Sequence, residues 1–161
     1  MNGRRLVAAI ACVLGAGCGE DAEVAGSYTI AVTNRDNGCE FANWTVGNTA
    51  AGIPVSITQD GASVTATVEG VVGSLLTLSL GANVYTGDVD GDELALTLYG
   101  TRSQTEGNCT FTNNSTLRAT VDGDALGGRI DYTRATNGNP DCARLASCVT
   151  YQDFNGTRPP R

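Results

Sequence analysis

Apolar residues at every second position, in run after run, constrain this chain more than any other feature. In residues 27–33 the apolar set is Tyr28, Ile30 and Val32, with Ser27, Thr29 and Thr33 opposite. Residues 63–69 repeat the pattern with Val64, Ala66 and Val68, and residues 93–99 with Leu94, Leu96 and Leu98. Residues 116–122 place Leu117, Ala119 and Val121 on one side, and 125–133 continue with Leu126, Ile130 and Tyr132. A period of two sets these side chains on one face of extended backbone, so the segments predict half-buried antiparallel strands. Weaker strands are expected at 41–46, 53–59, 75–80, 83–89 and 149–154. After the first residues, no window carries a helical stripe.

The breaks between runs are short. Asp60-Gly61, Gly81-Ala82, Asp90-Gly91-Asp92 and Gly123-Asp124 have hairpin chemistry, because glycine supplies the positive φ of a tight turn. The one long irregular stretch, 135–147, contains Asn137-Gly138-Asn139-Pro140. A meander of about eight to ten such strands has one apolar face, which it must hide by closing or by stacking. Closure into a barrel also removes the edge strands. The expected fold is therefore all-β: a single antiparallel meander closed into a barrel, with a β-sandwich as the alternative. The length of 161 residues suits one such domain and is too short for two sizeable cores. In outline the pattern resembles the calycin barrels, that is the lipocalins, fatty-acid-binding proteins and avidins. It lacks the lipocalin Gly-x-Trp signature near the first strand, and the single tryptophan is Trp44.

The first residues are an address. Met1-Asn2-Gly3-Arg4-Arg5 is positive, the next nine residues are uncharged and mostly apolar, and Gly15-Ala16-Gly17 leads into Cys18. That is the layout of a secretory signal, and the apolar run falls short of the ~20 residues a membrane span needs. Leu14-Gly15-Ala16-Gly17-Cys18 resembles the lipobox of bacterial lipoproteins, with its leucine one position further from the cysteine than usual. The resemblance implies a signal peptide at 1–17, acylation of Cys18 and a lipid anchor in the bacterial cell envelope, most simply the outer membrane. An ordinary cleaved signal is the alternative. Residues 18–25 then read as an acidic membrane-proximal linker, and 26–161 as the barrel-like domain. The ending from Phe154 to Arg161 resembles the tail of small lipoproteins from high-GC bacteria, which implies no activity.

Four cysteines remain after Cys18: Cys39, Cys109, Cys142 and Cys148. An even number in an exported chain predicts two disulfides, with three possible pairings. Spacing favours Cys142–Cys148 as a local clip and Cys39–Cys109 as the long-range staple. No Cys-x-x-Cys pair is present, so zinc is not the expected reading.

Composition excludes much chemistry. The chain has no His, and all 10 of its Lys+Arg positions are Arg. Ser-His-Asp and Cys-His catalysis, Schiff bases and P-loop phosphate binding are thereby removed. A net charge of −7 argues against nucleic acid as a partner. Asp88-Val89-Asp90-Gly91-Asp92-Glu93 is the densest acidic cluster, but its Gly and its acids do not fall at EF-hand positions. It reads as a hairpin turn. The clustered carboxylates fall in turns or on outward positions, where nothing raises a pKa for glycoside hydrolysis. No catalytic residue, metal site or cofactor is expected, and the chain is read as a non-enzyme. The candidate residues for a ligand cavity are Tyr28, Trp44, Tyr132 and Tyr151, whose apolar rings and polar ends suit a barrel interior. The expected function is a membrane-anchored module that takes a small apolar ligand, or else a filled barrel that meets other envelope proteins. A connected apolar cavity above ~300 Å³ favours the first.

Overall fold

The computed structural model describes residues 21–160. The predicted leader and Cys18 lie outside the described residues. In chain order the elements are β1 (Gly26–Asn37), β2 (Thr49–Asp60), β3 (Ser63–Val68), α1 (Gly70–Leu80), β4 (Val84–Asp90) and β5 (Glu93–Leu98). They continue with β6 (Gln104–Glu106), β7 (Cys109–Asp122), β8 (Ala125–Thr136), a 3-10 turn (Pro140–Cys142), α2 (Ala143–Ala146) and β9 (Thr150–Thr157). Antiparallel pairing runs from β5 back to β1, then through β9 and β8 to β7, and a β5–β7 ladder closes the circle. The result is a closed 8-strand barrel, with β6 as a short extra strand on the rim of β7. The sandwich alternative is excluded by that closing ladder.

The closing register shows why alternation builds this shape. Leu94 pairs with Ala119, Leu96 with Leu117 and Leu98 with Ser115, so the inward sets of two strands coincide. A shift by one residue would turn every one of them outward. The inward sets form one continuous core that includes Ile30, Val55, Val64, Leu96, Val121 and Phe154. Outward positions carry Thr65, Thr86, Asp88, Arg118, Thr120 and Asp131, which is not the apolar band of a membrane-spanning barrel. Gly128 faces inward on β8, where a Cβ would collide with the Arg118 carbonyl of β7. Its missing side chain lets the two long strands coil tightly together.

The two ends of the barrel differ. At one end, two-residue loops join β2 to β3, β4 to β5 and β7 to β8. Each starts with a glycine, Gly61, Gly91 or Gly123, at φ of 60, 61 and 59°, as a type II′ hairpin requires. Residues 21–25 close this end. Ala22 N–H donates to the Gly91 carbonyl at 2.7 Å, Val24 N–H donates to Gln59 Oε1 at 2.7 Å, and the Val24 side chain is fully buried. Arg158 fastens the lid from above. It donates to Asp124 Oδ1 at 3.0 Å and to the carbonyls of Ala25 at 2.6 Å and Glu23 at 2.8 Å, with its guanidinium 5.4 Å from the Tyr28 ring. Residues read from sequence as spacer are thus packed on the barrel, and the tail contributes a buried clamp.

The other end, the mouth, carries the long connections and most of the differences from expectation. Residues 75–80 are not a strand but the second half of α1. Its apolar residues fall on both faces: Val72, Leu76 and Leu80 point into the barrel, while Val71, Leu75 and Leu78 face solvent. A helix apolar all round leaves no stripe. Gly81, expected in a hairpin, ends the helix at φ 87° and donates its N–H to the Thr77 carbonyl, a left-handed helix cap. Residues 41–46 are also no strand. They form a loop held by Asn37, which exchanges hydrogen bonds with Phe41 at 2.8 and 2.9 Å.

The disulfides are Cys39–Cys148 and Cys109–Cys142, not the pairing that spacing favours. The chain from β8 to β9 lies between β7 on one side and β1 on the other. One helical turn there sends Cys142 toward the start of β7 and Cys148 toward the end of β1. Both bridges staple the mouth. On the chain-entropy model, closures of 109 and 33 residues contribute about 5 and about 4 kcal/mol.

Candidate functional site

The barrel is not completely filled. An interior chamber of about 260 Å³ is lined by Tyr28, Ile30, Leu96, Ile130, Tyr85 and Phe154, among other mostly apolar side chains. A second chamber of about 350 Å³ sits at the mouth, lined by Phe41, Trp44, Gln104, Asn113, Tyr132 and Arg134 together with α1. Leu76 and Tyr132 line both, so the chambers adjoin. Helix α1 is the roof: Val72 and Leu76 reach the interior, and Ser79 and Leu80 reach the mouth.

The structure brings together only part of the candidate set. Trp44 and Tyr132 meet at the mouth with Phe41, at ring separations of 6.0–6.2 Å. Trp44 stands in the β1–β2 loop rather than on a strand, and its indole N–H donates to the Arg35 carbonyl at 2.7 Å. Tyr28 lies deep in the interior chamber. Tyr151 is a correction: it faces outward on β9, beneath Arg129 at 3.6 Å, and lines neither chamber. Its neighbours Gln152 and Phe154 are the inward residues, as alternation around Phe154 requires.

Three polar features mark the chambers, and of their residues only Tyr132 belongs to the candidate set. Tyr85 and Ser115 are buried and share a hydrogen bond of 2.8 Å, and burial pushes the Tyr85 hydroxyl up to about 12. The Tyr132 hydroxyl donates to Gln152 Oε1 at 2.8 Å, and Gln152 in turn donates to Asn34 Oδ1 at 2.7 Å. Burial holds the Tyr132 hydroxyl well above its usual range, so it stays a neutral donor.

The third feature is Arg134. Its guanidinium lies 4.7 Å from the Phe111 ring and 5.5 Å from the Phe41 ring, and Nη2 donates to the Cys39 carbonyl at 2.9 Å. Its Nε is buried with no hydrogen-bond partner. Desolvation lowers its pKa, opposed by Glu106 and Glu40, but a guanidinium remains charged. Continuing the inward series Ile130, Tyr132 by two residues reaches Arg134, so its orientation was legible. Its burial depends on Phe41 folding over it, and nothing local announces that.

Fold and site define a small extracytoplasmic-type β-barrel, stapled by disulfides at an open mouth and hollow behind it. No protein-family model, curated protein or solved structure matches the chain.

Proposed function

We propose that this domain is a non-catalytic binding module of the bacterial cell envelope, anchored through an acylated Cys18, whose barrel holds a small apolar molecule. The observation that carries the reading is the interior chamber: about 260 Å³ with walls of Ile, Val, Leu and Phe, adjoining a mouth chamber of about 350 Å³. The interior alone falls short of the ~300 Å³ of a typical ligand pocket, and the two together exceed it. The outline likeness to calycin barrels supports the same use. Two disulfides point to an oxidising, extracytoplasmic setting.

The anchor also fits the geometry. Asp21 bonds Gly91 at the closed end, and three residues from Cys18 to Asp21 span at most about 11 Å. An acyl anchor would hold the closed end to the bilayer and turn the mouth away from it. The test is titration with N-phenyl-1-naphthylamine, an uncharged fluorophore that brightens in apolar surroundings. Saturable binding at one site is expected, abolished by Ala66→Leu, which fills the chamber wall. Binding that is absent, or unchanged by A66L, overturns the reading. Cys18→Ala should release the domain from the membrane fraction, and unchanged partitioning would overturn the anchor.

A further inference from the structure

We propose that the mouth chamber is the polar half of one amphipathic site. On this view the ligand has an apolar body and a head with a carboxylate beside a hydroxyl or amide N–H, received by Arg134 and Asn113. The proposal rests on the binding reading above and specifies the ligand's class.

Asn113 and Arg134 are direct partners in the β7–β8 register, so their side chains stand next to each other on the inward face. Asn113 is only 5% exposed, yet its Oδ1 has no hydrogen-bond partner, and neither does the buried Arg134 Nε. An unpaired acceptor beside an unpaired charged donor is costly, and buried polar groups in folded proteins are rarely left so. Ring faces and the Cys39 carbonyl fix the guanidinium, so it does not turn to Asn113. The missing counter-ion tells the same story. Arg35, Arg129, Arg144 and Arg158 each hold a carboxylate; Arg102, Arg118 and Arg134 form no such pair among the described residues, and of these three Arg134 alone is not solvent-exposed.

A ligand oxygen bearing negative charge would accept from Arg134 Nε, and an adjacent O–H or N–H would donate to Asn113 Oδ1. A plain alcohol supplies no charge for Arg134. A plain fatty carboxylate satisfies Arg134 but brings no donor for Asn113. The apolar body then continues past Leu76 and Tyr132, which line both chambers, into the interior.

The single Trp44 lines the mouth chamber and reports on it directly. Its fluorescence would be followed during titration of the domain with 3-hydroxydecanoate, decanoate and 1-decanol, each below its micelle threshold. The expected order of affinity is hydroxy acid, then acid, then alcohol. Arg134→Met should weaken both acids by about 10–100-fold and leave decanol within about twofold, because only a charge-assisted bond is lost. Asn113→Leu should erase the preference for the hydroxy acid over the plain acid. Decanol binding to the native domain as tightly as the acids would overturn the head-group assignment while leaving the apolar interior standing. Unchanged acid binding in R134M would do the same. Should R134M not fold, the ranking on the native domain and N113L decide. Failure of all three compounds to bind overturns this proposal and the binding reading together.

Discussion

Tyr85 on β4 and Ser115 on β7 join their hydroxyls at 2.8 Å inside the barrel, reaching past β5, with neither residue more than 3% exposed. The bond ties two strands that share no ladder. Tyr85→Phe would leave the Ser115 hydroxyl buried without its partner, and a loss of about 1–2 kcal/mol is expected in chemical denaturation at neutral pH.

The same tyrosine sets an alkaline limit. Burial raises its hydroxyl to about 12, whereas in the unfolded chain it ionises near 10. Between those values the unfolded state holds fewer protons than the native one, so stability falls as pH rises. It is fully present below about pH 9 and should drop by about 2 kcal/mol by pH 12. Tyr132 shifts in the same direction. Denaturation midpoints at pH 7, 9 and 11 check this, and Y85F should flatten the decline.

Leu96 and Thr97 test the face assignment. Leu96 is 1% exposed at the centre of β5, and Thr97 points outward. Leu96→Asp should unfold the domain, whereas Thr97→Asp should change stability by about 1 kcal/mol or less. Equal tolerance in thermal melts would contradict a buried face on β5.

Non-reducing peptide mapping should recover Cys39 linked to Cys148 and Cys109 linked to Cys142. Replacing either pair with serine is expected to cost about 2–5 kcal/mol, the larger loss falling on Cys39–Cys148 with its 109-residue closure.

Arg158 closes the hairpin end with a side chain only 6% exposed. Arg158→Leu removes its ion pair and carbonyl contacts at once. A loss of about 3 kcal/mol is expected, with hydrogen exchange at Ala22 and Val24 accelerating more than in β7. Uniform acceleration would mean that the clamp holds the whole barrel rather than its lid.

How far the sequence could be read follows from the range of each interaction. Alternation is local: Leu94, Leu96 and Leu98 identify a strand and its buried face without reference to any other strand. Gly61, Gly91 and Gly123 likewise identify their turns, because a positive φ is a property of one residue. Strand character, the hairpins and closure of one apolar face were therefore legible. Helix α1 was not, since it buries one apolar face in the barrel and exposes another, which removes the periodicity that marks a helix. Tyr151 faces outward, as alternation with Phe154 requires, so its amphipathic ring is no guide to its face.

The rest was decided in three dimensions. Cysteine spacing along the chain favoured Cys142–Cys148, but distance along the chain does not measure distance around a barrel. Only the ring of strands shows that the β8–β9 connection runs between β7 and β1, with one cysteine facing each. Arg134 and Asn113 are 21 residues apart in sequence and opposite one another in the β7–β8 ladder. Their unpaired polar atoms become a site only because the β1–β2 loop and α1 complete the wall of the mouth chamber around them. Local pattern determined which side chains face inward, and the closing of the sheet determined what each of them meets there.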